Sequence, residues 1–261
     1  MISLTDIHVT FNPGTPLAKP ALLGIDLDIA AGEFITVIGS NGAGKSTLLN
    51  IISGDILSDR GRVTVGTQDV TTWPTAQRAT LVSRVFQNPL AGSCAELTIE
   101  ENLVLAFRRG QSRGLRPALN NRFRDQFRAR LASLELGLED RLCDLIGLLS
   151  GGQRQALSLV MATLAPAKIL LLDEHTAALD PKTAHYIMQL TEQLVTEHGL
   201  TTLMVTHSMR QALAVGNRLL MLHEGRIVFD TFGSEKGNLT INDLLNRFAG
   251  DALNNDSLLL G

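Results

Sequence analysis

The sequence predicts an α/β fold: a parallel sheet with helices on its faces, an N-terminal run of strands and an inserted helical lobe. Three observations carry this. Strand-like runs at Ile169–Leu172 and Thr201–Val205 flank a helical pattern at Thr183–His198, and strand–helix–strand alternation implies parallel strands. The N-terminal residues, up to Val37, alternate apolar and polar side chains in three runs, the period of half-buried strands. Between about Leu97 and Leu149 leucines recur at helical spacing and β-branched runs vanish, which marks a separate helical lobe.

Taken in order, the first strands span Ile2–Phe11, Leu22–Ile29 and Glu33–Ile38, with turns at Asn12–Pro20 and at Ala31 and Gly32, where Pro and Gly punctuate the pattern. Phe34–Ile38 leads into a glycine-bearing loop, and the apolar run Thr47–Ile52 behind it reads as a helix. Further strands are expected at Arg62–Val65 and Leu81–Phe86, before the helical lobe. After Thr201–Val205 come Leu219–Leu222 and Arg226–Phe229. The last thirty or so residues are polar with scattered leucines and read as a short helical tail without a site.

At 261 residues the chain suits one large α/β domain, or a core plus a subdomain. A net charge of −3 provides no global field for nucleic acid. The two cysteines, Cys94 and Cys143, lie far from any metal-ligand spacing; they fit a reducing compartment and are expected to be small buried or partly buried side chains. The N-terminus lacks a basic segment followed by an apolar one, so no secretory signal is expected. The longest apolar stretch, Ala156–Leu172, is broken by Ser158, Thr163, Pro166 and Lys168 and is too interrupted to span a bilayer. A membrane link would have to come through a partner. Between Arg108 and Arg130 stand eight arginines (108, 109, 113, 116, 122, 124, 128, 130) against one acid, Asp125. With only Phe123 and Phe127 interleaved, a solvated helix face or a surface near anionic headgroups is favoured over a nucleic-acid patch.

The chemistry concentrates in Gly39–Thr47, G-S-N-G-A-G-K-S-T. Gly39, Gly42 and Gly44 let the backbone turn tightly and aim the N–H groups of Ser40, Asn41, Ala43 and their neighbours at one point. Lys45 supplies a positive charge for β- and γ-phosphates, and the Ser46 hydroxyl can ligate Mg²⁺. The helix that Thr47 enters presents its N-terminus to the same anion. A glycine-rich strand-to-helix turn is the plain alternative.

Ile169–Glu174 is an apolar strand ending in two acids. A strand this apolar is buried on both faces, and ligands gather at the carboxyl ends of such strands. Asp173 is placed to hold Mg²⁺ and Glu174 to polarise a water for attack on a γ-phosphate; turn or cap acids are the alternative. Leu149–Gln153, L-S-G-G-Q, precedes an apolar-periodic helix. Ser150 could simply cap that helix, but Gly151 and Gly152 also expose N–H groups for a second anion site. Two such helix ends in different lobes serve one nucleotide only if two molecules face each other.

With these motifs in order the chain, from about Ile2 to Asp230, resembles the nucleotide-binding subunit of ABC transporters. Gly39–Thr47 matches Walker A, Gln87 the Q-loop, Leu149–Gln153 the signature, Ile169–Glu174 Walker B, Ala178–Asp180 the D-loop and His207 the H-switch. The resemblance implies a P-loop NTPase core, RecA-like, with an N-terminal antiparallel β subdomain and an inserted α-helical subdomain: residues 1–96 and 150–230 form the core, 97–149 the helical part and 231–261 the tail. It implies ATP and Mg²⁺ as ligands, and a head-to-tail dimer in which each ATP lies between Walker A of one copy and Ser150, Gly152 and Gln153 of the other. Gln87 would touch Mg²⁺ and the attacking water, Asp180 would link the two sites, and His207 would contact the γ-phosphate and hold Glu174. Phe11, in the position of an aromatic that is commonly Tyr, would stack on adenine; an ordinary core Phe is the alternative. His175 stands where the family usually has Pro, and is expected to be a turn position rather than a catalytic one.

The stretches D-E-H-T-A-A-L-D-P-K-T, V-T-H-S-M-R-Q-A and L-S-G-G-Q-R-Q-A-L are similar to a subgroup of bacterial importers associated with aromatic amino acids. That likeness implies a transmembrane permease, an extracytoplasmic solute-binding protein and a peripheral position on the cytoplasmic face of the inner membrane. An exporter subunit is the alternative. A soluble ABC ATPase of ribosomes or DNA would usually carry two nucleotide-binding domains or a long coiled-coil insertion, and this chain has one Walker A and a short lobe.

Overall fold

The computed structural model describes residues 1–111 and 118–251. In chain order, β1 (Ile2–Phe11) and β2 (Lys19–Ile29) open the fold, followed by β3 (Phe34–Gly39), α1 (Lys45–Ser53), β4 (Arg60–Val65), β5 (Gln68–Asp69) and α2 (Thr75–Arg78). Then come β6 (Val82–Val85), a 3₁₀ turn at Pro89–Gly92, α3 (Ile99–Phe107), α4 (Asn121–Ala132), a 3₁₀ turn at Ile146–Leu148, α5 (Gly151–Leu164), β7 (Ile169–Asp173) and α6 (Pro181–His198). The chain closes with β8 (Thr201–Val205), α7 (Met209–Ala214), β9 (Arg218–His223), β10 (Arg226–Phe232), α8 (Gly233–Gly237) and α9 (Ile241–Asp251).

Two compact units are present, Met1–Arg78 with Gly199–Gly261, and Ala79–His198. The first holds a sheet in the order β2-β1-β4-β5, antiparallel throughout. Ile2, Leu4, Ile7 and Val9 of β1 are buried, as are Leu22, Ile25, Leu27 and Ile29 of β2. β2 begins at Lys19, earlier than its apolar pattern suggests, and pairs Pro20 with Thr10. It lies at the sheet edge, where a residue without an N–H costs no ladder bond. The same unit places β3 between β8 and β9, parallel to both, with β10 antiparallel to β9. All six residues of β3 are buried, as expected of a strand covered on both faces.

Arg78, almost fully buried, ties off α1: its guanidinium donates to the carbonyls of Ile51 and Ile52 and, at 2.9 Å, of Thr71. Orphan carbonyls at a helix C-terminus need such donors. The described part of the tail is helical, as expected, and packs on the sheet. Leu244 and Phe248 of α9 pack with Ile38, Met209, Leu219 and Met221, and the buried Lys236 of α8 donates to the carbonyls of Val215 and Gly216.

In the second unit β6 and β7 run parallel, Val85 beside Leu172. α3 starts with a full capping box between Thr98 and Glu101, which satisfies two orphan donors reciprocally. Its end carries Phe107 into a cluster with Phe123 and Phe127 of α4. The arginine stretch is in part the expected solvated face, along α4, and in part tied to neighbouring side chains. Arg109 is half-buried and donates to Ser83 Oγ at 2.5 Å and to the Ala162 carbonyl at 3.3 Å. Arg124 grips Glu100 at 2.7 and 2.9 Å, Arg130 meets Glu197 at 2.8 Å, and Arg108 lies over the Phe123 ring. Arg122 is exposed, Arg128 makes an exposed 3.5 Å pair with Asp125, and Arg113 and Arg116 lie outside the described residues. The cysteines are corrected: both are exposed, because each sits in an irregular surface segment, before α3 and before the second 3₁₀ turn. No helix among the described residues is long and apolar enough to cross a membrane.

Candidate active site

The phosphate-loop residues are in the first unit, at the end of β3. Gly39 has φ 156° and a Cβ there would lie 2.3 Å from the Leu222 carbonyl; Gly44 has φ 102° and its Cβ would lie 2.6 Å from the Ala21 carbonyl. Neighbouring backbone fills the space any side chain would need, so only glycine permits this loop. Asn41 and Gly42 are exposed, whereas Ala43, Lys45 and Thr47 are buried. Lys45 folds inward, its Nζ donating to the carbonyls of Gly39 at 2.6 Å and Ser40 at 2.9 Å. α1 begins at Lys45 after Gly44, with no side chain capping it. Its first N–H groups therefore face the loop without a side-chain acceptor, the arrangement that attracts anions.

Phe11 and His207 share this unit. Phe11 ends β1 opposite Lys19 and is 39% exposed, so the core-Phe alternative is excluded. Val37 of β3 registers with Val205 of β8. Gly39, the last residue of β3 and still paired with Leu222, and His207, each two residues further on, therefore lie at the same end of the sheet. His207 is half-buried, and the following Ser208 caps α7 by accepting from the Gln211 N–H.

The remaining candidates belong to the second unit. Because Val85 registers with Leu172, Gln87 and the pair Asp173 and Glu174 leave the β6–β7 ladder at one end. Gln87 is exposed. Asp173 is held by Arg84, whose Nη2 lies 2.6 Å from Oδ2, with the two side chains only 11% and 14% exposed. Arg84 also lies 4.7 Å from the Phe86 ring centroid, and a Cβ on Gly92 would come within 3.2 Å of that ring. One arginine thus joins the strand-end acid to the segment that carries Gln87. Glu174 has φ 46°, uncommon for a residue with a Cβ and characteristic of functional turns.

His175 does sit in the turn after β7, but its side chain is 2% exposed. Thr191 donates its hydroxyl to the Ile187 carbonyl at 2.7 Å, so the 3.0 Å contact to His175 Nε2 makes Nε2 the protonated nitrogen. Burial pushes the imidazole down to about 4.

Ser150 caps α5 in a reciprocal box: it accepts from the Gln153 N–H at 3.2 Å, and Gln153 Oε1 accepts from the Ser150 N–H at 3.1 Å. A Cβ on Gly152 would lie 2.5 Å from Thr183 Cγ2, and one on Gly151 3.8 Å from Leu179. The signature segment and the residues around Asp180 are therefore neighbours within one chain. Asp180 is exposed and accepts from the Thr183 N–H at 3.1 Å; hydrogen bonds from Thr183 hold its carboxyl below the usual range.

Oxygen donors that a metal could take are offered in the first unit by the exposed Ser46 hydroxyl and, separately, in the second unit by the carboxylates of Asp173 and Glu174. No group of three or more metal-ligating His, Cys, Asp or Glu side chains occurs among the described residues. Hydroxyl and carboxylate oxygens are the hard donors that Mg²⁺ takes alongside waters and phosphate oxygens. Sequence reasoning missed Arg84, Lys19 and the packing role of Gly152. An arginine inside the apolar run V-S-R-V-F is the one signal that pointed to the first of these.

The ABC transporter family model matches residues 22–177, a span that includes Gly39–Thr47, Gln87, Leu149–Gln153 and Ile169–Glu174 but not Phe11, Asp180 or His207. The chain is 47% identical over 250 residues to a tyrosine transport ATP-binding protein of Clostridioides difficile (strain R20291), covering 95% of this chain and 98% of that protein. It is 38% identical over 205 residues to the thiamine import ATP-binding protein ThiQ of Yersinia pseudotuberculosis serotype I (strain IP32953), covering 78% and 82%. Among solved structures, the dimeric post-hydrolysis state of the ATP-binding cassette MJ0796 bound to ADP and Pi superposes with a TM-score of 0.76 at 30% identity, covering 89% of this chain and 98% of that one.

Proposed function

The chain belongs to the ABC transporter family as an ATP-hydrolysing subunit, and we propose that it powers uptake of an aromatic amino acid of the tyrosine type through a separate membrane permease. The loop at Gly39–Thr47 carries this reading: glycines forced by backbone contact, an inward-folded Lys45 and an uncapped helix end form an anion cradle with no other evident use. The tyrosine transport relative is matched at higher identity and along more of the chain than the thiamine import relative, which favours an amino acid as the solute.

In this mechanism the β- and γ-phosphates of ATP replace the carbonyls now held by Lys45, and Phe11 stacks on adenine. Mg²⁺, when bound by Ser46, Asp173 and Gln87, neutralises charge on the phosphates. Glu174 accepts a proton from the attacking water, and His207 orients Glu174 and donates to the γ-phosphate. Such positioned charges and donors account for most phosphoryl-transfer catalysis. A second copy supplies Ser150, Gly152 and Gln153, and Asp180 links the two sites. The dimer rests peripherally on the cytoplasmic face of the inner membrane, held by the permease, and an extracytoplasmic protein delivers the solute.

The test is reconstitution with the permease and binding protein in vesicles. Tyrosine should stimulate ATP hydrolysis and thiamine should not. Glu174→Gln should keep ATP binding and lose turnover by about 100-fold or more, on the scale of a lost general base. Full turnover in that variant overturns the role of Glu174, and stimulation by thiamine alone overturns the solute.

A further inference from the structure

Lys19 is a residue the motifs do not assign. It opens β2 directly opposite Phe11, the last residue of β1, and directly opposed residues of an antiparallel pair project on the same side of the sheet. The connection between them is fastened by its own bonds: the Ala18 N–H donates to the Thr15 carbonyl at 3.0 Å, and Thr15 Oγ1 donates to the Asn12 carbonyl at 2.8 Å. The side chain then runs toward the phosphate loop, where a Cβ placed on Gly42 would lie 3.9 Å from Lys19 Nζ. Gly42 itself is exposed. Among the described residues no hydrogen bond or ion pair is recorded for the Lys19 ammonium.

An ammonium without a partner among the described residues, close to Gly42 of the phosphate loop, has a natural complement in a polyphosphate. We infer that Lys19 is a second phosphate-binding cation of this site, reaching the nucleotide from the β1–β2 hairpin while Lys45 reaches it from inside the loop. The inference rests on the ATPase reading above. It gives the hairpin two tasks: Phe11 takes the base and Lys19 the phosphate chain. It also separates two kinds of selectivity, because a ring face is indifferent to phosphate number whereas an ammonium is not.

The full-length chain is titrated with ATP, ADP and AMP in the presence of Mg²⁺, by calorimetry. Lys19 is solvent-exposed, so its contribution lies between a surface pair and a charge-assisted hydrogen bond. Lys19→Met should weaken ATP and ADP about fivefold and leave AMP within about twofold. The gap between wild type and Lys19→Met should narrow as salt is raised, and Lys19→Arg should restore affinity. Phe11→Ala, by contrast, should weaken all three nucleotides alike. Unchanged ATP affinity in Lys19→Met, alongside a loss in Lys45→Ala, overturns the role of Lys19 and leaves the ATPase reading standing. Equal weakening of AMP overturns it as well. A wild-type chain that binds no ATP overturns both.

Discussion

His175 stands where a neutral imidazole is favoured over a charged one. Its hydrogen-bond partner is Thr191, and burial holds it at about 4 instead of 6.5. Between those values the unfolded chain binds the proton and the folded chain does not, so stability rises with pH across that window and is lost as pH falls through it. The full difference is about 3 kcal/mol. His175→Gln retains an N–H donor and removes the titration. Denaturant unfolding from pH 7 to pH 4 should therefore fall more steeply for wild type than for the variant, and parallel curves would refute the account. At this scale the phosphate loop was fully legible, because the spacing from Gly39 to Thr47 is itself the geometry. Arg84 was not. Its role depends on Asp173, 89 positions away, and no local pattern announces a partner that pairing of β6 with β7 brings alongside. Lys19 was hidden for the same reason, since only the strand register and the loop path bring it to Gly42.

Among elements, the strands and long helices were readable because each buries a face of definite period, as β1 does with Ile2, Leu4, Ile7 and Val9. What escaped depended on context. Pro20 looks like a turn residue until β2 is known to be an edge strand, and the polar tail hides the two side chains, Leu244 and Phe248, that anchor α9. Gly152 is the clearest case of an element-level role concealed by a motif. Its glycine pair reads as an anion site, yet the missing side chain is also what lets α5 approach the first turn of α6. Gly152→Ala forces Thr183 Cγ2 aside from 2.5 Å, and overpacking of this kind costs about 1–3 kcal/mol. Thr183→Ser removes that methyl group. The double variant should recover the loss and could exceed wild type by up to about 1 kcal/mol, the helical gain of Ala over Gly. Thermal unfolding of the four chains gives the cycle directly, and a Gly152→Ala penalty that persists with Thr183→Ser would show that Thr183 is not its cause.

For the whole molecule, the anion cradle at Gly39–Thr47 lies in one compact unit and the capped glycine pair at Ser150–Gln153 in the other. If each nucleotide needs both segments from opposite copies, inactivation of either segment should be complemented by a partner damaged only in the other. Lys45→Ala leaves Ser150 intact, and Ser150→Arg leaves Lys45 intact. A mixed dimer of the two variants contains one site with both lesions and one with neither. Equal mixing places half of the chains in such dimers, so the mixture should regain up to about a quarter of wild-type hydrolysis although each variant alone is inactive. A chain that works singly predicts no recovery at any ratio. The regained rate should also rise more steeply than linearly with total protein, because dimer formation is bimolecular, and it should disappear when Glu174→Gln is added to the Ser150→Arg chain. That chain supplies the only intact phosphate loop in the mixed dimer, so its own Glu174 must serve the surviving site. Recovery that instead tracks Glu174 of the Lys45→Ala chain would place the general base across the interface.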